Sequence, residues 1–348
     1  MAKGFGRVKR RRKNLETSMD RLSVLDTLIP WNIFGESLAQ LETKERKSRA
    51  GRKPIDRLQL FKMLILQQLY NLSDEQTEYQ THDRASFRRF VGLDAQAEVP
   101  DAKTLWLFRK TLTQAGLIDE MFEAFGAFLQ ESGYQAQGGQ IIDATLIPVP
   151  TQHNSQEENE QIKGGEEPTQ WSEQPHKRSQ KDRDARWTKK NNVSHFGYKD
   201  HINIDAKYKF IRVHAVTDAS VHDSQMFAEV LDIDNESDEI WADSAYASAR
   251  REEVLEILGY KSHIHERGYR KNPLSEAQKE ANREKSKTRV RVEHVFGDWV
   301  MRMGGKLVRY IGMERVRAHQ GLKVLTYNLN RYVSLQKQVV KVCSRSVP

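Results

Sequence analysis

From residue 18 to residue 133, apolar positions recur every third or fourth residue, the period of helices that bury one face. Leu22, Leu25 and Leu28, followed by "WNIFGESLAQL", predict helix over 18–45. Pro54 suits a first helical turn. Behind it Leu58, Phe61, Leu64, Ile65, Leu69 and Leu72 predict a long buried helix over about 55–71. Ser73 stands where it would cap a second helix over 74–81, and "DRASFRRFVGL" predicts a third. Asp101 caps a fourth in "PDAKTLWLFRKTLTQAG", with Leu105, Leu107, Phe108 and Leu112 turned inward, and residues 117–132 make a fifth. Arg84, Arg88, Arg89, Lys103, Arg109 and Lys110 lie between the apolar positions. Short helices so decorated suit a helix-turn-helix docked on DNA, or a bundle whose basic residues are simply solvated.

The period then changes. "QIIDATLIPVP" is short, β-branched and apolar, and predicts a strand. Residues 151–194 have almost no aliphatic residues and no period, which predicts a polar, partly mobile insertion in which Trp171, Trp187, Lys189 and Lys190 alone suggest contacts. "HFGYKDHINIDA" and "YKFIRVHAVTDAS" predict an antiparallel hairpin turning near Ala206 and Lys207. "DSQMFAEVLDI" predicts a short helix, "EIWADSAYAS" a strand ending in a turn, "ARREEVLEILGY" a helix and "KSHIHER" a strand. In "SKTRVRVEHVFGDWVMRMGG", residues 286–305, Val292, Val295, Phe296, Trp299 and Met303 share one helical face. The order of elements describes a mixed α/β sheet behind an all-helical N-terminal domain.

Charge narrows the partners. The 348-residue chain carries 30% charged and 38% hydrophobic residues and a net charge of +8. A pI near 9.3 favours a polyanion, nucleic acid before an anionic membrane. Cys343, the only cysteine, excludes an intrachain disulfide and a cysteine-based zinc finger and fits a reducing cytoplasm. No apolar run approaches the roughly 20 residues that span a bilayer. "MAKGFGRVKRRRKN" is basic with no apolar region behind it, so it reads as a solvated tail or an arm along phosphates rather than a signal peptide.

Two acids stand where strands should exclude them. Asp143 lies inside "IIDATLI" and Asp243 ends "IWAD". A buried aspartate needs a compensating partner; each could be paired with an arginine or cap the following turn. Ligands of open α/β sheets also gather at strand ends. Two aspartates there, with Glu293 on a helix packed across them, form an oxygen-only set suited to Mg²⁺ or Mn²⁺. Two such ions, about 3.5–4 Å apart, would activate a water and stabilise the leaving oxygen of a phosphodiester. Arg289, four residues before Glu293, suits a phosphate or a plain i,i+4 pair. Asp223 reads as an N-cap, and Lys199 and His201 as residues of a sheet face.

The ordered elements "IIDATLI", "HFGYKDHINIDA", "VTDASVHDSQMF", "WADSAYAS" and "RVRVEHVFGDW" resemble the catalytic core of IS5-type insertion-sequence transposases, within the IS4-like superfamily. Upstream, "GRKPIDRLQLFKMLILQQLYNLSDEQTEYQTHDRASFRRFVGL" resembles their helical N-terminal domain, so the likeness spans roughly residues 50–335. It implies a ribonuclease-H-like core with an Asp-Asp-Glu triad, here Asp143, Asp243 and Glu293 as catalytic residues and metal ligands for two Mg²⁺ (or Mn²⁺) ions. Arg289 matches the family's arginine. Its tyrosine position holds Ser286 and its lysine position Val300, so either the phosphate contact of that lysine passes to Arg302 or Lys306, or activity is reduced. Arg289, Arg291, Arg302 and Lys306 are the expected phosphate contacts.

The organisation expected is a basic tail over 1–17, a helical DNA-binding or dimerisation domain over 18–133, a catalytic domain over 134–335 interrupted by the insertion at 151–194, and a C-terminal tail over 336–348. The expected partners are double-stranded DNA, as terminal inverted repeats and target, and a second copy of the chain, since two ends must be joined. The expected setting is the bacterial cytoplasm at the nucleoid, with no membrane. The alternatives are a relative that binds DNA without catalysis and a nuclease that cuts without joining.

Overall fold

In a computed structural model the described residues are 20–41, 55–94, 96–269 and 272–345, with side chains described to 338 apart from that of residue 172. The basic tail and Pro54 lie outside them. The chain forms two compact units, Met1–Phe125 with Leu325–Pro348, and Gly126–Val324. Among the described residues no helix is long and apolar enough to cross a membrane.

The first unit is helical: α1 (Arg21–Leu28), a 3-10 turn (Trp31–Phe34), α2 (Gly35–Ala39), α3 (Arg57–Tyr70), α4 (Asp74–Asp83), α5 (Ala85–Val91), α6 (Ala102–Gln114) and the start of α7 (Leu117–Glu131). Pro30 splits what the sequence suggested was one helix over 18–45, because it lacks the N–H that a continuing helix needs. Ser73 caps α4 in a reciprocal capping box with Gln76, and Asp101 accepts from the Thr104 N–H at the start of α6. The core is aromatic: Trp31 meets Phe90 edge-on at 5.6 Å and Phe34 meets Phe61 at 5.0 Å. Leu105, Phe108 and Leu112 are buried as expected, whereas Leu107 is 55% exposed. Leu107 lies one residue round from Phe108 and at the edge of the apolar stripe, so its periodicity did not decide its side.

The second unit is built on one sheet: β1 (Gln140–Pro148), β2 (Arg186–Lys190), β3 (Val193–Asp205), β4 (Ile211–Asp218), β5 (Glu239–Ala242) and β6 (Lys261–Ile264). Setting β2 aside, the order is β4-β3-β1-β5-β6. β3 runs antiparallel to both its neighbours, β1 and β4, and β5 and β6 run parallel to β1. This is the ribonuclease-H-like mixed sheet. Gly139 (φ +86°) lets β1 enter beside β5, since a Cβ there would strike the Trp241 ring and the Glu239 carbonyl. One face of the sheet is sealed by Ile142, Ile240, Ala242 and Ile264 with Phe227, Val230, Tyr246 and Leu255 of α11 (Ala249–Ile257) and the preceding loops.

Several elements differ from the sequence reading. The insertion is folded: it forms α8 (Gln156–Lys163), α9 (Thr169–Ser172), α10 (Pro175–Ser179) and β2, and Trp171 of α9 is fully buried. Glu158 accepts from Trp171 Nε1 at 2.7 Å and from Lys177 Nζ at 2.6 Å. Polar bonds around one indole replace the aliphatic core whose absence suggested mobility. "DSQMFAEVLDI" forms only a 3-10 turn, Asp223–Met226, capped by His222 rather than Asp223. The segment 286–305 is not one helix: α12 (Glu276–Arg289) and α13 (Arg291–Met301) meet at Val290. A last helix, α14 (Met313–Arg345), occupies a stretch to which the sequence assigned no element and continues through most of the segment set apart as a tail.

Candidate active site

Asp143 sits inside β1, opposite Ile202 of β3. Its neighbour Ile142 pairs with Ala242 in the parallel β1–β5 ladder, so Asp143 and Asp243 follow adjacent residues at the same level of the sheet. Residues two apart share a face, which puts Asp143 with Ile141 and Thr145, opposite the sealed face of Ile142. Onto this face pack Val292, Val295, Phe296 and Trp299 of α13, all buried. α13 carries Glu293 in its first turn, and α12 brings Arg289 in its last.

Both pairing readings of the aspartates occur. Arg289 Nη1 donates to Asp143 Oδ2 at 2.8 Å, and Asp143 Oδ1 accepts the Ala144 N–H at 2.8 Å. Asp243 caps the turn Ser244–Tyr246, accepting the Ala245 N–H at 2.6 Å. The three acids nevertheless act on one another. Burial pushes the Asp143 carboxyl up to about 6; Arg289 and the Ala144 N–H oppose this, while the nearby negative charges of Asp243 and Glu293 add to it. Glu293 is the open member, its side chain 53% exposed against 13% for Asp143, and Arg289 Nη2 stands 4.0 Å from Glu293 Oε1. Among the described residues no three His, Cys, Asp or Glu side chains stand close enough to ligate one ion as they are placed. Arg289 holds the position of counter-charge.

The basic residues divide. Lys306 donates to Thr145 Oγ1 at 2.5 Å, on the face of Asp143, with its Nζ 4.8 Å from the Phe296 ring centre. Burial lowers the Lys306 pKa, with Lys190 acting the same way; Glu293 and Asp143 pull it up. Val300, where the family's lysine was expected, is 49% exposed. Arg302 faces solvent beside Asp298 at 3.4 Å, and Arg291 donates to the Ala206 carbonyl at 2.7 Å, at the far end of the β3–β4 hairpin. The structure therefore gathers Arg289 and Lys306 with the acids and leaves Arg291 and Arg302 outside the cluster. Lys199 is engaged by the Val221 carbonyl at 2.6 Å and by Asp223 at 2.8 Å.

Three residues were not singled out from sequence. Thr145 follows Asp143 by two and shares its face, a signal open to a period-2 reading. Tyr246 is buried with no hydrogen-bond partner for its hydroxyl, and Asp143, Asp223 and Asp243 act on it electrostatically. His265 bonds Ser286 Oγ at 3.2 Å; burial and Arg289 lower its pKa, while Asp243 raises it. No spacing marks His265, because only the β5–β6 ladder brings it to Ala242, whose carbonyl accepts its N–H at 3.1 Å.

Residues 134–329 match the family model described as "Transposase DDE domain", and residues 10–111 match "Transposase domain (DUF772)". Among solved structures, a cryo-EM structure of the piggyBac transposase synaptic complex with hairpin DNA is similar at 10% identity and a TM-score of 0.47, over 90% of this chain and 74% of that one. With the first of these family models covering more than half its length, the chain belongs to the DDE transposases, of the IS4-like type.

Proposed function

We propose that this chain is the transposase of a bacterial insertion sequence of the IS5 branch, working at the nucleoid. It grips the terminal inverted repeats, cuts DNA at the element's ends and joins the freed ends to target DNA. The observation that carries this reading is the gathering of Asp143, Asp243 and Glu293 on one side of the sheet with Arg289 and Lys306 among them.

The donor set suits a hard divalent cation, since it is all oxygen and its carboxylates disfavour one another's charge. Asp143, Asp243 and Glu293 would hold two Mg²⁺ or Mn²⁺ ions, which when bound supply an activated water and stabilise charge on the leaving oxygen. The chain's own residues do the rest. Asp143 is held by its pairing with Ile202 of β3 and by the Arg289 bond. Glu293, on the first turn of α13, is the most exposed of the three. Arg289 supplies a counter-charge to Asp143, and its guanidinium fork matches the two oxygens of a phosphate. Lys306 brings a point charge from the loop after α13, in place of the lysine that Val300 replaces. The helical first unit and the basic tail hold the repeats, and two copies of the chain bring two ends together.

The test is incubation of purified protein with labelled element ends, a target plasmid and Mg²⁺, beside Asp243→Ala. Cleaved and joined products that vanish in the variant while end binding persists are expected. End binding without cleavage by the wild type overturns the reading in favour of a binding protein, and cutting without joining reduces it to a nuclease.

A further inference from the structure

The first unit sorts its basic residues in a way the sequence did not. Arg109 is buried and forms a two-pronged pair with Asp74, both bonds 2.7 Å, while also donating to Gln67 at 3.1 Å. Arg88 donates to the carbonyls of Asp94 and Ala97, and Arg89 stands 3.2 Å from Asp20. Arg84 lies over the Phe87 ring at 5.2 Å. Among the described residues Lys103 and Lys110 have no carboxylate or carbonyl partner, and both are exposed on α6.

They sit seven residues apart, two turns of one helix and therefore on one side of it. Between them lie Trp106, 43% exposed, and Leu107, 55% exposed; Thr111 and Gln114 continue the exposed stripe by one turn. The Lys110 ammonium stands 5.5 Å from the Trp106 ring centre. No acid interrupts the stripe. The opposite side of α6 is anchored by buried Leu105, Phe108 and Leu112, and by the Arg109–Asp74–Gln67 network that ties it to α3 and α4. A helix fixed behind and both cationic and aromatic in front is a rigid reading head.

We infer that the outer stripe of α6, centred on Lys103, Trp106, Leu107 and Lys110, is the face with which the first unit contacts duplex DNA at the element's end. This inference rests on the reading above. Charge complementarity selects the partner: two unpaired lysines on an acid-free stripe suit phosphates, and a single helix fits a major groove about 12 Å wide. The lysines then straddle the groove while Trp106 and Leu107 meet sugars and thymine methyls.

The test measures binding of the full chain to a labelled duplex of the element's end and to a scrambled duplex, across a salt series. Lys103→Ala/Lys110→Ala is expected to weaken end binding at least ~10-fold and to make the log affinity–log salt slope shallower by about two. Trp106→Ala is expected to reduce the preference for the end over the scrambled duplex. Unchanged circular dichroism and melting temperature exclude misfolding. Wild-type end binding that survives the double substitution overturns the inference and leaves the transposase reading standing. A Trp106→Ala variant that changes oligomeric state with end binding intact also overturns it, making the stripe a contact between copies. A wild type that does not distinguish the end from the scrambled duplex overturns both.

Discussion

Asp143 lies between adjacent strands and beneath a helix, and its protonation follows from that position. Its folded pKa of about 6 stands above the ordinary aspartate value, so between about pH 4 and pH 6 the folded state binds more protons than the unfolded one. The stability it contributes is therefore full at low pH and lost as pH rises through about 6. With chelator present, the melting temperature of Asp143→Asn relative to wild type should climb between about pH 4 and pH 6 and level off above. A difference that stays flat would contradict the burial of this carboxyl. Lys306 gives a second prediction: Lys306→Ala should slow end cleavage ~10-fold or more while leaving end binding within about twofold, as expected for a group that stabilises developing charge. Equal loss of binding and cleavage would make it a general DNA contact. Asp143, Asp243, Glu293 and Arg289 were legible as candidates, because acids in apolar strands and an arginine one turn before a glutamate break ordinary patterning. Lys306 was legible only as one of two substitutes for a missing lysine. Its selection over Arg302 depends on a loop that turns back to Thr145, which no local period encodes.

At the scale of elements, periodic segments were readable and compensated ones were not. The five N-terminal helices, β1, the β3–β4 hairpin and the apolar side of α13 follow from spacing and capping, even where burial runs past one face, as in α3, buried at every position from Leu60 to Leu69. The break at Val290 does not: helical spacing runs across it unchanged, and the two halves turn because α12 packs at β5 while α13 packs at β1. The insertion escaped for the opposite reason. Its buried residues, Glu158, Ile162, Trp171, Asp182 and Ala185, mix acids with isolated apolar groups, and hydrogen bonds from Lys177, the Ser155 N–H and Trp171 hold the Glu158 carboxyl at about 2 despite the upward push of burial. Such a core has no hydrophobic period. Glu158→Ala leaves the indole N–H and the ammonium without their acceptor, a cost of about 1–3 kcal/mol. Limited proteolysis should then cut within 151–190 several-fold faster, with the rest of the digest pattern unchanged. Unaltered cleavage there would mean that the insertion is held by other contacts.

For the whole molecule, the basic balance only favoured a polyanion partner; it was the resemblance of the ordered motifs that pointed to the transposases, the family that the match over residues 134–329 shows. The chain's division is also testable. Arg109→Met removes one partner of a buried pair inside the first unit, at a cost of about 3–5 kcal/mol. Hydrogen exchange should quicken in α3, α4 and α6 while β1 and β3 keep their protection; uniform quickening would show that the two units unfold as one. What the sequence by itself determined is the set of chemical groups and the elements that carry them, because periodicity, capping and turn chemistry act over a few residues. The tertiary structure alone decided which groups meet. Asp143 reaches Arg289 across 146 positions of sequence and Lys306 reaches Thr145 across 161, through a parallel ladder and a loop closure. It also decided that Arg109 is buried in a pair with Asp74 while Lys103 and Lys110 of the same helix stay exposed. That outcome depends on desolvation and on partners distant in the chain, and a one-dimensional pattern carries neither.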